Sequence, residues 1–205
     1  FSPSKRTDSI PISTRGFIAR MRSAQWKATT DRVVDLYGVA ADPFTVQTND
    51  YFFLSRWKVQ GKPDEVYAIL TDVPGYLRWW PEVYLAVRPL TPPGDDGLGQ
   101  SYRLLTRGKL PYRLRWDTRI VETRRPYGFT IEAAGDFVGR GIWTFTEHGN
   151  DLELAFDWRL RAEKQLIKSL SFLFKPLFCW NHGWAMARGE EDLRREIASR
   201  RGNSA

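Results

Sequence analysis

The chain has 205 residues, 42% of them hydrophobic and 14% aromatic, which suffices for one sizeable core and is too little for two. Its one cysteine, Cys179, excludes an internal disulfide, and with only two histidines it cannot complete a Cys/His zinc cluster, so no metal or cofactor is expected and a reducing, cytoplasmic setting fits best. The net charge of +7 sits largely in the first 35 residues, where Lys5, Arg6, Arg15, Arg20, Arg22, Lys27 and Arg32 face only Asp8, Asp31 and Asp35; the rest of the chain is nearly balanced, which argues against nucleic acid as a partner.

Residues 1–16 are rich in Ser, Pro, Thr and basic side chains and lack the periodicity that buries a face, so disorder is expected there. Phe17, Ile18, Met21, Trp26, Val33, Val34 and Tyr37 make a weak helical pattern, diluted by Ser23, Thr29 and Thr30, that reads as a peripheral helix or a linker. Residues 1–46 together read as a basic N-terminal extension, with Met21 available as an internal start, and residues 47–202 as the domain proper. No run of about 18 apolar residues is present to span a membrane, and the N-terminus has no apolar core of the secretory-signal kind.

A first strand is predicted over Tyr51–Gln60, where aromatic and β-branched residues cluster before the turn-like Gly61-Lys62-Pro63-Asp64. Pro63 with Asp64 and Glu65 opens a short helix carrying Val66, Tyr67, Ile69, Leu70 and Val73, which Pro74-Gly75 ends. Asp72, near that end, reads as a capping or turn residue. After Val83–Leu90 a loop rich in Pro and Gly leads into a strand meander, with turns expected at Gly108-Lys109, Arg125–Gly128, Gly135–Gly141 and His148–Asp151.

Within the meander Tyr112, Leu114, Trp116, Thr118 and Ile120 share one face against Arg113, Arg115, Asp117 and Arg119; Leu152, Leu154, Phe156, Trp158 and Leu160 repeat the pattern. One face is therefore dry and one wet. The arginines of the wet face (Arg103, Arg113, Arg115, Arg119, Arg124, Arg125) are matched by Glu122, Glu132, Glu153 and Asp157, which favours a solvated, cross-strand-paired surface over an anion-binding one. The last element changes period: Leu166, Ile167, Leu170, Leu173, Phe174, Leu177 and Phe178 fall at helical spacing, and Met186, Leu193 and Ile197 extend the stripe. Pro176 is expected to break it, leaving a main helix over 177–200.

The order strand, short helix, antiparallel strands, long C-terminal helix resembles the SRPBCC or START-like superfamily in its polyketide cyclase/dehydrase and lipid transport branch. The residues that carry the resemblance are Val59-Gln60-Gly61-Lys62-Pro63-Asp64-Glu65-Val66-Tyr67, then Leu70, Asp72 and Tyr76-Leu77-Arg78-Trp79-Trp80-Pro81. Gly61-Lys62 stand where that family usually has Ala-Pro, and Tyr67 where it has Trp. A second match is Trp180-Asn181-His182-Gly183-Trp184-Ala185-Met186 with Gly189-Glu190-Glu191-Asp192-Leu193, similar to the family's closing helix. The resemblance covers about residues 48–200 and implies an α+β helix-grip fold, a curved antiparallel sheet of about six or seven strands wrapped around the last helix.

It also implies an internal cavity for a hydrophobic small molecule or lipid, lined by Trp80, Tyr102, Leu104, Tyr112, Leu114, Trp116, Phe129, Ile131, Trp143, Phe145, Phe156, Trp158, Phe178, His182 and Met186. Any one of these rings can simply fill a core, but Trp116, Trp143 and Trp158 with Tyr102, Phe129 and Phe145 are bulky for a sheet that must also admit a helix. Tyr102, Tyr112 and Thr118 are the polar anchors on the dry face, each with backbone or water as its alternative partner. Non-catalytic binding or transport is the leading reading. An aromatase/cyclase-like enzyme is its rival, with His182, Tyr102 and Tyr112 as candidate proton-moving residues. The residues themselves favour a packed or exposed His182 over a cavity-facing acid or base, since no carboxylate stands at helical spacing N-terminal to it and Glu190 lies two turns away. In a third reading the stripe Leu166–Phe178, flanked by Lys164, Lys168 and Lys175, docks on a bilayer; its competing role is to cover the cavity mouth. Gly139-Arg140-Gly141 lacks the spacing of a phosphate loop, and nothing in the sequence sets the oligomeric state.

Overall fold

Period-two alternation produces the strands. The computed structural model describes residues 50–92, 97–162 and 165–202, with side chains outside 162–175. The segment expected to be disordered, the weak helix at Phe17–Tyr37 and the 1–46 extension lie outside the described residues. So do the side chains of the stripe from Leu166 to Phe174 and of Lys164, Lys168 and Lys175.

Strand β1 (Asp50–Val59) leads into helix α1 (Pro63–Thr71), a 3-10 turn (Val73–Gly75) and the short helix α2 (Tyr76–Trp79). Strands β2 (Tyr84–Pro89), β3 (Ser101–Arg107), β4 (Arg113–Thr123), β5 (Gly128–Gly135), β6 (Phe137–His148) and β7 (Asp151–Ala162) follow, and helix α3 (Gln165–Gly202) ends the chain. The seven strands form one antiparallel sheet in the order β1-β7-β6-β5-β4-β3-β2. Each hairpin places sequence neighbours side by side, and the single long-range pairing, β1 with β7, brings the first strand back beside the last. The sheet curves around α3, the helix-grip arrangement, and the dry faces point inward.

Asp72 caps the 3-10 turn: its Oδ1 accepts from the Gly75 backbone N–H at 3.2 Å, the role expected of a short acid before Pro-Gly. Helix α1 buries Val66, Ile69 and Leu70 in the same core cluster as Leu152, Leu154, Leu193 and Ile197. Helix α3 also closes part of the free edge of β1. The Lys58 N–H donates to Glu190 Oε1 at 2.9 Å, and the Arg194 guanidinium donates to the Lys58 carbonyl at 2.8 and 3.0 Å.

Two expectations are corrected. Pro176 does not break the last helix, which runs unbroken from Gln165 to Gly202: proline deletes one backbone donor, a small loss within a 38-residue ladder. The turn expected over Gly135–Gly141 shrinks to Asp136, and Gly139 and Gly141 sit inside β6. The glycines serve packing there. A Cβ at Gly141 would lie 2.6 Å from both Phe156 Cε2 and Trp158 Cε3, so the missing side chain is what lets those rings lie flat across the strand.

The wet face is paired as expected, and partly buried by the pairing. Arg103 forks onto Asp117 at 2.8 and 2.9 Å, which leaves Asp117 buried. Glu132 is buried between Arg119 and Arg140 on the flanking strands. Glu122 accepts from the Thr130 hydroxyl at 2.7 Å, and that bond, with Arg124 and Arg140 nearby, holds its carboxyl below the usual range.

Candidate functional site

Bulky rings on a curved face cannot all meet across the helix, and the space left over is an internal cavity of about 200 Å³. Its floor comes from the inward positions of β3 to β7: Leu104, Thr106, Leu114, Trp116, Thr118, Ile120, Phe129, Ile131, Phe137, Trp143, Phe156, Trp158 and Leu160. One wall is Leu70, Val73, Tyr76, Trp80, Val83 and Tyr84; the opposite wall is Tyr51 and Phe53 of β1. Helix α3 covers it with Phe178, Asn181, His182, Ala185 and Met186.

On the floor Trp143 stacks on Phe156 (centroids 4.4 Å apart, planes at 17°) and Phe156 on Trp158 (5.4 Å, 21°), with Phe156 and Trp158 packed over Gly141. On the far wall the Trp80 indole presses against Gly189 of α3, where a Cβ would meet its Cε2 at 2.6 Å.

The polar groups are few, and most are engaged. Trp116 Nε1 donates to Thr106 Oγ1 at 3.0 Å, and the Tyr76 hydroxyl donates to the Leu70 carbonyl at 2.5 Å. Asn181 ties the β3–β4 hairpin to α3, accepting from the Leu110 N–H at 3.0 Å and donating to the Tyr112 hydroxyl at 3.2 Å. Gly108 makes this possible, since a Cβ there would collide with the Asn181 amide. Burial pushes the Tyr112 phenol up to about 12, so it is a neutral donor at physiological pH. The His182 ring stacks on Phe53 at 4.0 Å, and burial lowers its pKa to about 4. Three buried polar atoms of the lining have no protein partner: Thr118 Oγ1, His182 Nε2 and Trp80 Nε1.

The structure brings together thirteen of the fifteen residues expected at the cavity: Trp80, Leu104, Tyr112, Leu114, Trp116, Phe129, Ile131, Trp143, Phe156, Trp158, Phe178, His182 and Met186. The other two lie off it. Tyr102 is near the start of β3 with its hydroxyl donating to Gln100 Oε1 at 2.6 Å, and Phe145 is buried edge-on against Phe129 in the packed end of the core. The proton-moving trio therefore loses Tyr102. Sequence reasoning missed Tyr51 and Phe53, because Phe52 and Leu54 between them are apolar too and hide the alternation. It also missed Asn181, whose only signal is a lone amide one residue before His182.

A family model described as polyketide cyclase/dehydrase and lipid transport matches residues 59–186, from the end of β1 to the middle of α3. The chain belongs to that family. The polyketide cyclase/dehydrase and lipid transport match thus spans every element that builds the cavity except most of β1 and the second half of α3. No curated protein matches the chain. Among solved structures it is similar to the Zhui aromatase/cyclase from Streptomyces sp. R1128, at 16% identity and a TM-score of 0.57 over 74% of this chain and 95% of that one. It is also similar to a START superfamily protein from Mycobacterium smegmatis (14% identity, TM-score 0.58, 72% and 97% covered). The di-domain ARO/CYC StfQ of the steffimycin biosynthetic pathway matches at 14% identity and a TM-score of 0.61, over 90% of this chain and 62% of that one. At these identities the likeness is one of fold, shared by cyclases and a START protein alike. Among the described residues, no helix is long and apolar enough to cross a membrane.

Proposed function

We propose that the protein binds or carries an apolar small molecule or lipid in this cavity and does not act on it chemically. The observation that supports the reading is the lining itself, a set of mostly aromatic and aliphatic side chains with few polar atoms. Affinity would come from burying apolar ligand surface at roughly 25 cal/mol per Å², less the ordering costs of binding. Residues 47–202 form the binding domain in this reading, and the setting is cytoplasmic. In this reading the Leu166–Phe178 stripe covers the cavity mouth, which the presence of Phe178 in the lining supports; its competing role, transient docking on a membrane, draws support from the exposed Leu177.

The cyclase alternative rests on Tyr112 and His182, both in the lining. Against it, no Asp or Glu is among the described lining residues, and an imidazole with a pKa near 4 is a weak base. Native mass spectrometry of the purified protein, followed by organic extraction, tests the proposal. A co-purified apolar compound recovered unchanged is expected. A protein that is empty, and whose Trp fluorescence no fatty acid, sterol or polyphenol quenches, would overturn it.

A further inference from the structure

We propose that the outward side of α3 and the β3–β4 hairpin beside it form a docking surface for a bilayer that carries anionic lipid. The proposal takes up the membrane role of α3 and holds whether or not the cavity carries a ligand, because different side chains are involved.

Helix geometry separates the two roles. Phe178, His182 and Met186 recur at four-residue spacing on one side of α3 and line the cavity, whereas Leu177, Trp180 and Trp184 recur at three and four residues on another. Trp180 is 53% exposed and Leu177 37%, and Trp184 is half-buried. An indole is apolar in body with an N–H at its edge, which suits the boundary between headgroups and acyl chains, and a neighbouring leucine adds apolar area that can enter to the same shallow depth.

The charge around this side has one sign. From Gly97 to Trp116, which takes in β3, the hairpin and the first part of β4, there are five basic residues (Arg103, Arg107, Lys109, Arg113 and Arg115) and no Asp or Glu. From Gln165 to Gly189 α3 has no Asp or Glu either. Asn181 joins the two segments through Leu110 and Tyr112, so they lie side by side. Some of these cations are already engaged: Arg103 is forked onto Asp117, and Arg188, farther along the helix, pairs with Glu82 at 3.5 Å and Glu191 at 2.7 Å. Arg107 and Lys109 are exposed and meet no carboxylate among the described residues. The Arg107 Nε donates to the Glu82 carbonyl at 2.9 Å, and the Lys109 ammonium lies 5.7 Å from the centre of the Trp184 ring, which places positive charge at the border of the apolar side chains.

The combination favours a bilayer over a dissolved polyanion. A polyanion in solution would use Arg107 and Lys109 and leave Leu177 and Trp180 in water. A membrane uses both, since headgroup phosphates reach the cations while the leucine and the indole enter the interface, and the two contributions add.

The test is co-sedimentation of the full chain with vesicles of phosphatidylcholine alone and of an equal mixture of phosphatidylcholine and phosphatidylglycerol. Wild type is compared with Arg107→Gln/Lys109→Gln and with Trp180→Ala, and thermal unfolding is run alongside to confirm that each variant is folded. Expected is partitioning onto the mixed vesicles at least about tenfold stronger than onto phosphatidylcholine, an advantage that high salt removes. Arg107→Gln/Lys109→Gln should lower binding to the mixed vesicles roughly ten- to thirtyfold, and Trp180→Ala roughly fivefold. The proposal is overturned if wild type binds neither vesicle or binds both alike. It is also overturned if either variant binds the mixed vesicles as wild type does: an inert Arg107→Gln/Lys109→Gln would place the charge contact elsewhere, as on the basic residues before Asp50, and an inert Trp180→Ala would leave a polyanion site and no membrane-entering one. None of these outcomes bears on the cavity, whose occupancy the extraction decides.

Discussion

Where β1 ends and β7 begins, Val59, Leu152, Leu154, Val66 and Ile69 are all at or below 1% exposure; at the opposite end of the same strands, Phe53, Leu114, Leu160 and Phe178 are only half-buried around the cavity. Both ends belong to one sheet and one helix. They differ in residue shape and in what covers them. Branched aliphatics from α1 and the second half of α3 fill the packed end, while the other end is lined by large rings, with the cavity between them and α3. The division teaches that stability and binding are assigned to different ends of the domain, so mutations at the two ends should separate them.

The largest effect is expected from Leu193→Ala at the packed end, which should cost about 3 kcal/mol in urea unfolding, whereas Leu114→Ala in the half-exposed rim should cost less than about 1 kcal/mol. Equal losses would break the comparison. Next comes acid. The unfolded chain takes up a proton on His182 near its ordinary pKa of 6.5, but the folded protein resists until about 4. Stability should therefore fall as pH drops through that window, by at most about 3 kcal/mol, and level off below it. His182→Phe should flatten this part of the pH profile, as read from urea midpoints. Gly141→Ala pushes a methyl into Phe156 and Trp158 and should cost about 2 kcal/mol, with a clear loss of ligand quenching. Smallest is Asn181→Ala, which removes the bridge to Leu110 and Tyr112 for about 1 kcal/mol; hydrogen exchange should show the Leu110 amide losing protection while those of β7 keep theirs.

Much of this was legible beforehand. The strands of the meander announce themselves by strict alternation, and one face of β7, from Leu152 to Leu160, reads directly as the inner surface. What was hidden has physical causes. Strand β1 is apolar on both faces near its start, so its alternation carries no contrast. Gly139 and Gly141 look like turn residues because sequence cannot separate a glycine chosen for conformation from one chosen for room; here neither has positive φ. Tyr102 shares the dry face but sits near the strand's far end, a matter of position along the strand that periodicity does not report. The role of Asn181 depends on which hairpin comes to lie beside it, a fact of tertiary structure alone.

The contacts of Glu190 and Arg194 with the backbone of Lys58 have a meaning beyond anchoring a helix. A seven-stranded open sheet has two raw borders, and an unpaired N–H and C=O on such a border are an invitation to another copy of the chain to add itself as an eighth strand. At Lys58 that invitation is withdrawn, because both groups are already occupied by side chains of the helix. The helix that roofs the cavity thus also blocks strand addition at this one position, and any opening that lifted its C-terminal half would free the N–H and C=O of Lys58.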